Sequence, residues 1–268
     1  MVFLKSIILG IIEGLTEFLP ISSTGHLIIA DRIMSLSSNT VFTTAFQIII
    51  QLGAILAVVW LYWHRLWIFK GIKLQKDIVI LWGKVLIGVL PAIVLGLKYS
   101  DLLEEKFFNV PTVAFTLIFY GIVMILLENL LKKQKVKTAA VQNAKWLDVL
   151  LIGFFQCLAM IPGTSRSAAT IIGGRILGLS RVAAAEFSFF LAIPTMFGAT
   201  ALTLLKLLKN GLVFTFLEWS VLIVGFAVAF LTAVVVVRLF IDYIQKNNFN
   251  LFGWYRIILG IVILLFLR

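Results

Sequence analysis

The sequence predicts an all-α polytopic membrane protein with an inverted-topology repeat. Each half is expected to hold one re-entrant helical hairpin and three transmembrane helices. Three observations predict it. Of 268 residues, 62% are apolar and only 13% charged, with a mean hydropathy of +1.10. A soluble domain carries about 25% charged residues to cover its surface, so lipid is the expected solvent. The apolar residues fall into runs long enough to cross a bilayer. The chain also repeats itself at an offset of about 141–143 residues.

The first half begins with an apolar helix predicted over 2–19, close to the lower limit for a span. Lys5 followed by an apolar run has the look of a signal peptide. Glu13 and Glu17 follow without a small-residue cleavage site, so the segment is read as part of the mature protein. Pro20 stops the helix, because proline lacks an N–H and clashes with the preceding turn. The next helix, 23–35, is too short to cross. The pair therefore reads as a re-entrant hairpin with its tip at Pro20–Thr24, tolerated at membrane depth only inside protein or beside a wet cavity. Spans are predicted at 41–63, 79–98 and 112–131, separated by a basic loop, 64–78, and an acidic loop, 99–111, with Asp101, Glu104 and Glu105. The basic loop 132–145 follows, and Gln134–Asn143 is polar enough to be a linker.

The pattern then restarts. An apolar helix over 146–161 ends at Pro162-Gly163, a short helix covers Thr164–Leu177, and spans follow at 182–206, 217–240 and 253–267. Gly10-Ile-Ile-Glu-Gly-Leu-Thr-Glu lies over Gly153-Phe-Phe-Gln-Cys-Leu-Ala-Met, and Ala45-Phe-Gln lies over Glu186-Phe-Ser. The repeats are placed at approximately 1–134 and 144–268 of one membrane domain. Three spans per half is an odd number and a hairpin returns to its own side, so the second half is expected to be inverted relative to the first. Placing loops 64–78 and 132–145 inside puts the densest basic clusters on the cytoplasmic face, with the acidic loop and both termini outside. The net charge of +11 is thereby assigned to topology and anionic headgroups, and no nucleic-acid partner is expected. The one cysteine, Cys157, permits no intramolecular disulfide.

The chemistry concentrates at the predicted tips. Glu13 and Glu17 share a helix face, and two carboxylates in a bilayer point to a wet, functional cavity rather than to snorkelling at a helix end. They suit a divalent cation, general acid–base work, or a grip on a nearby Arg or His. Ser22, Ser23 and Thr24 open one short helix, and Thr164, Ser165 and Ser167 flank the other. One hydroxyl at each start is an ordinary N-cap. Three in a row beside His26 suggest more, because a helix N-terminus is an anion site. Two such ends with Arg166, whose planar fork bonds oxyanions bidentately, suit a phosphate or diphosphate. Ser23 and His26 have the spacing for a nucleophile and base on one helix turn.

Other polar residues read more plainly. His64 is expected at the interface, and Gln47, Gln51 and Glu186 either line a cavity or tie helices together. Lys84 and Arg256 are expected to snorkel from the inner ends of their spans. Trp60, Trp63, Trp67, Trp82, Trp146 and Trp254 are expected as an interface belt. No His/Cys cluster has zinc spacing, so no zinc site is expected.

Glu13-Gly-Leu-Thr-Glu-Phe-Leu-Pro-Ile-Ser-Ser-Thr-Gly-His26 closely resembles the glutamate-rich signature of the bacterial undecaprenyl-diphosphate phosphatases, the bacitracin-resistance family. Pro162-Gly-Thr-Ser-Arg-Ser-Ala-Ala-Thr170 resembles the second signature, with Ala168 where glycine is common. Phe46-Gln-Ile-Ile-Ile-Gln-Leu-Gly53 and Glu186-Phe-Ser-Phe also resemble family stretches, and the likeness spans nearly the whole chain. The resemblance implies an enzyme of the bacterial cytoplasmic (inner) membrane. It would remove the terminal phosphate of a C55 polyprenyl diphosphate at a site open to the outer face, recycling the lipid carrier of peptidoglycan synthesis and conferring bacitracin resistance. It implies catalytic roles for Glu17, Ser23, His26 and Arg166, supported by Glu13, Thr24 and Ser165, and dependence on a divalent cation, Mg2+ or Ca2+. Glu13 and Glu17 are the candidate metal ligands. Ser22, Thr164 and Ser167 join Glu13, Thr24 and Ser165 as substrate-binding candidates. The expected partners are the polyprenyl diphosphate and membrane lipids, and a homodimer is allowed. Ser23, Thr24 and water all stay open as nucleophile. A flippase of the polyprenyl phosphate, suggested by broken helices in an inverted repeat, and an intramembrane Ser–His protease are the competing readings.

Overall fold

The computed structural model describes residues 1–71, 73–209 and 213–266, and the side chains of Ser100, Asp101 and Glu104 lie outside the described set. Among the described residues the chain forms eleven α-helices and one two-stranded hairpin. The helices are α1 (Val2–Thr16), α2 (Ser23–Ile33), α3 (Thr40–Leu61), α4 (Trp63–Leu66), α5 (Lys76–Phe107), α6 (Val110–Leu130), α7 (Trp146–Cys157), α8 (Arg166–Ile176), α9 (Arg181–Lys209), α10 (Phe216–Lys246) and α11 (Asn250–Phe266). Five of them, α3, α5, α6, α9 and α10, are long and apolar enough to cross a membrane. The chain is thus an all-α, multi-pass membrane protein. The sequence predicts a sixth span in α11, whose 17 described residues make it a shorter apolar helix.

The helix starts follow from capping. Asn39 accepts from the amides of Val41 and Phe42 to open α3, and Asn109 accepts from Thr112 to open α6. Thr215 and Glu218 form a capping box at α10. Side-chain caps work here because the first amides of a helix have no intrahelical partner.

Helix α9 is the centre of the bundle, with Ala183–Ile193 buried without a break. Helix α10 packs on α1 and α3, α5 on α7, and α6 on α11. The closest approaches rest on glycine. A Cβ on Gly10 of α1 would lie 2.7 Å from the carbonyl oxygen of Gly225 in α10. One on Gly153 of α7 would lie 2.2 Å from that of Gly88 in α5. Without a hydrophobic drive between helices in lipid, such small-residue contacts allow the packing that holds them together.

Several sequence expectations change. Residues 99–107 are not an acidic loop, since α5 runs on to Phe107. Segment 64–78 holds α4 and strands β1 (Phe69–Lys70) and β2 (Lys73–Leu74). Arg65 there pairs through both guanidinium nitrogens with Glu186 of α9, and packs over Tyr62 and Phe190. Segment 134–143 is no free linker: the amides of Lys137 and Thr138 bond to Gly178, Ser180 returns a bond to Thr138, and Val141 is buried. Lys84 does not snorkel to water but is buried, with its ammonium 2.5 Å from the carbonyl of Gln142. Trp82 likewise turns inward and donates to the carbonyl of Leu66, whereas Trp60, Trp63, Trp67, Trp146 and Trp254 are exposed. Tertiary partners supplied by distant loops decide each case, and hydropathy carries no information about them.

Candidate active site

The chain turns sharply twice in the same way. Helix α1 ends at Thr16, turns continue through Ile21, and α2 starts at Ser23. Helix α7 passes through a 3-10 turn, Leu158–Met160, before α8 starts at Arg166. Ser22 and Ser165 cap the two short helices, accepting from the amides of Gly25 and Ala168. They have φ of 72° and 70° and are the only non-glycine residues at positive φ among those described. Such strained geometry persists only where the surroundings impose it. Both short helices have 11 residues, two fewer and three fewer than the sequence suggests. Gly163, at φ +85°, completes the second turn with no room for a side chain, since a Cβ would lie 2.2 Å from Thr116 Oγ1.

The two turns touch. Ser167 Oγ donates to the carbonyl of Leu19 at 2.9 Å. Glu17 then joins chemistry from both sides: Ser23 donates to its Oε2 at 2.5 Å, and Arg166 Nη2 donates to its Oε1 at 3.1 Å. Arg166 is fixed further by the carbonyl of Ser188 at 2.8 Å and by Met196 Sδ at 3.6 Å. Two carbonyl or carboxylate partners and a sulfur hold the fork at one angle. Ser188 itself is held by Thr170 Oγ1 at 2.7 Å.

Ser23 does not bond to His26. The His26 ring places Nδ1 2.7 Å from the carbonyl of Ser22 and Nε2 2.7 Å from the hydroxyl of Tyr255. A carbonyl only accepts, so Nδ1 carries the proton, and in the neutral ring Nε2 accepts from Tyr255. The helix-turn spacing that suggests a Ser–His pair is real, but the strained cap turns His26 back on its own backbone.

Glu13 is buried beside Glu17, and its Oε1 has no hydrogen-bond partner. A polar cavity of about 530 Å³ reaches this point, lined by Glu13, Ser23, Thr24, Thr44, Gln47 and Gln51. Asp31, Arg32, Ser35, Thr40 and Phe108 line it further out, where α2 ends, α3 begins and α5 meets α6. Of the other candidates, Ser165 and Ser167 bond to each other at 3.0 Å, and the Thr164 side chain is buried beneath the turn, out of the cavity.

Two residues beside the turns were not read as part of the site from sequence. Tyr255 gives no signal, being one aromatic among many. Arg256 does give one, as the only charged residue of α11. It is fully buried rather than snorkelling, and bonds to the carbonyls of Pro20, Gly163 and Thr164 at 3.0–3.1 Å.

Fold and site together define a polytopic membrane protein with a cavity that reaches a buried carboxylate beside two touching turns. The family model described as Bacitracin resistance protein BacA matches residues 6–262, and the chain belongs to that family. It is 52% identical over 268 residues to the undecaprenyl-diphosphatase of Fusobacterium nucleatum, covering 97% of this chain and 99% of that protein. It is 49% identical over 264 residues to undecaprenyl-diphosphatase 1 of Oenococcus oeni, covering 97% and 95%. It is 51% identical over 263 residues to undecaprenyl-diphosphatase 1 of Clostridioides difficile, covering 97% and 94%.

Proposed function

We infer that this chain is an integral membrane phosphatase that hydrolyses undecaprenyl diphosphate to undecaprenyl phosphate and inorganic phosphate. The carrying observation is the Ser23–Glu17–Arg166 chain of hydrogen bonds, which places a hydroxyl, a carboxylate and a guanidinium at one point. Family membership and the similarity to undecaprenyl-diphosphatases support the lipid substrate.

The two turns are tips of re-entrant hairpins in an inverted repeat. The matched serine caps, 143 residues apart, support this reading. So do the matched packings of Gly10 on α10 and Gly153 on α5. The cavity mouth lies beside the ends of α2 and α5, on the face that the charge pattern assigns to the outside of the bacterial inner membrane. Diphosphate enters there while the prenyl tail stays in lipid.

The terminal phosphate sits against the amide ends of α2 and α8 and the Arg166 fork. Ser23 Oγ attacks phosphorus in line as Glu17 takes its proton. The P–O bond to the bridging oxygen breaks, and undecaprenyl phosphate leaves. Glu17 passes that proton to the departing undecaprenyl phosphate. Water then attacks the phosphoserine and gives a proton to Glu17, the P–Oγ bond breaks, and Glu17 returns the proton to Oγ, which releases inorganic phosphate and restores Ser23. Transfer of this kind needs mainly positioning and charge stabilisation, which the fixed guanidinium and helix ends supply. His26, braced by the Tyr255 hydroxyl, holds the Ser22 turn through its carbonyl. Thr24 lines the cavity and orients the phosphate.

The donor set fits a divalent cation in a limited sense. Both oxygens of Glu17 are engaged, and among the described residues no group of three or more His, Cys, Asp or Glu side chains is placed to hold a metal. Glu13 keeps a buried, unpartnered oxygen beside the cavity. Mg2+ is commonly held by one or two carboxylates with substrate phosphates and waters completing its shell. Glu13, with Glu17 beside it, would hold Mg2+ or Ca2+ in that manner. Once bound, the ion neutralises phosphate oxygens.

Phosphate release from a polyprenyl diphosphate by purified protein, with and without chelator, tests the reading. Activity lost on chelation and restored by Mg2+ or Ca2+ is expected, and a wild-type protein inert under all conditions would sink it.

A further inference from the structure

Arg256 has features that neither the proposed reaction nor the family match explains. It is fully buried at the middle of an apolar helix. Among the described residues it has no carboxylate partner. An arginine so placed is costly and persists only where it has partners or a task. Its hydrogen-bond partners are five backbone carbonyls, and its guanidinium also lies over the Tyr120 ring. Nη1 donates to Pro20 at 3.1 Å, and Nη2 to Gly163 and Thr164 at 3.0 Å. Longer bonds of 3.4 Å reach Thr116 and Leu117 of α6 from Nη2 and Nε.

The pattern has a physical logic. Breaking a helix inside a membrane leaves carbonyls at the end of one half and amides at the start of the next without partners. Carbonyl ends carry partial negative charge and amide ends partial positive charge. Arg256 takes the carbonyls of both turns with one planar group. The amide ends of α2 and α8 are left for an anion. Pro20 lies three residues before Ser23, and Thr164 two before Arg166. A shift of the guanidinium is therefore passed to both chemical groups with little slack. A second tie, from Thr116 Oγ1 to the carbonyl of Pro162 at 2.7 Å, holds one turn only.

We propose that Arg256 is a positioning residue for the phosphatase reaction. It fixes the register of the two turns, and so the placement of Ser23 and Glu17 against Arg166. The proposal rests on the functional reading above. The guanidinium's role is geometric: two forked ends pull two chain segments to one plane. A lysine keeps the charge but offers one ammonium in place of that fork.

The test uses Arg256→Lys and Arg256→Met in the full chain in detergent, read by steady-state phosphate release and by amide hydrogen exchange. The expected kcat falls about 100-fold in Arg256→Met, the loss associated with an ångström-scale misplacement, while KM stays within about threefold. Arg256→Lys is expected to fold and to recover only part of that loss. Exchange is expected to rise in 18–26 and 161–168 together in both variants and to stay unchanged in α10. A wild-type kcat in Arg256→Lys overturns the proposal, because charge alone then suffices. So does a raised KM at unchanged kcat, or faster exchange in only one turn. Should the wild-type protein release no phosphate, the functional reading fails, while the exchange measurement still decides whether Arg256 ties both turns.

Discussion

The two turns share a backbone and divide the chemistry. Each has a serine cap at positive φ and an 11-residue helix behind it. At matching positions, 143 residues apart, the first turn has Glu13, Glu17, Ser23 and His26 where the second has Gln156, Met160, Arg166 and Ala169. In the proposed reaction one turn therefore supplies the nucleophile and carboxylates, and the other supplies the cation. The lesson is that the two turns keep the same strained cap and short helix while their side chains differ. Two acidic turns would repel an anion, and two basic ones would have no base. Glu17–Arg166 is the point where the specialised halves meet.

The division can be broken most severely at its nucleophile. Ser23→Ala is expected to lower kcat for phosphate release by at least about a thousandfold, as loss of a nucleophile does elsewhere. Ser165→Ala, which alters the second turn's cap, should stay within about tenfold of wild type, since a cap contributes about 1 kcal/mol. Equal losses in the two variants would contradict the division.

Removing the cation comes next. Arg166→Ala is expected to lower kcat about 100-fold or more, the scale seen for loss of one preorganised charge stabiliser. Arg166→Lys should recover little, because the fork also bonds Glu17 and Ser188. Steady-state kinetics on both variants measure this.

Gly163→Ala probes the shared backbone. The added Cβ meets Thr116 Oγ1 and the Val113 carbonyl at a positive φ. A destabilisation of roughly 2 kcal/mol or more is expected, from left-handed strain and overpacking together. A lowered denaturation midpoint in detergent reports it. The smallest effect belongs to Ser22→Gly and Ser165→Gly. Glycine loses the cap but tolerates φ near 70°, so each should change stability by only a few tenths of a kcal/mol. Matching shifts in the two variants would sharpen the backbone equivalence, and unlike shifts would weaken it.

Much of the fold is legible in the chain. Helix positions follow from apolar runs and from capping residues such as Asn39, Asn109 and Thr215, all local signals. The end of α5 is not, because the charged stretch from residue 99 reads as a loop in the chain whereas the helix runs through it to Phe107. The candidate residues at both turns are legible because carboxylates, hydroxyls and a guanidinium are conspicuous among apolar neighbours. Their pairing is less so. Helical spacing suggests Ser23 with His26, whereas Ser23 bonds to Glu17 across a turn.

What the sequence by itself determined is the solvent, the helical architecture and where the polar residue types fall among apolar neighbours, since each depends on composition or on spacing along one segment. What the tertiary structure decided is who meets whom. It brings Arg166 to Glu17 over 149 residues and Arg256 to Pro20 over 236. Such contacts depend on how distant segments pack, and a buried charge finds its partners only when those segments have arrived. For that reason the same arginine reads as a snorkelling residue in the chain and as a clamp on two turns in the fold.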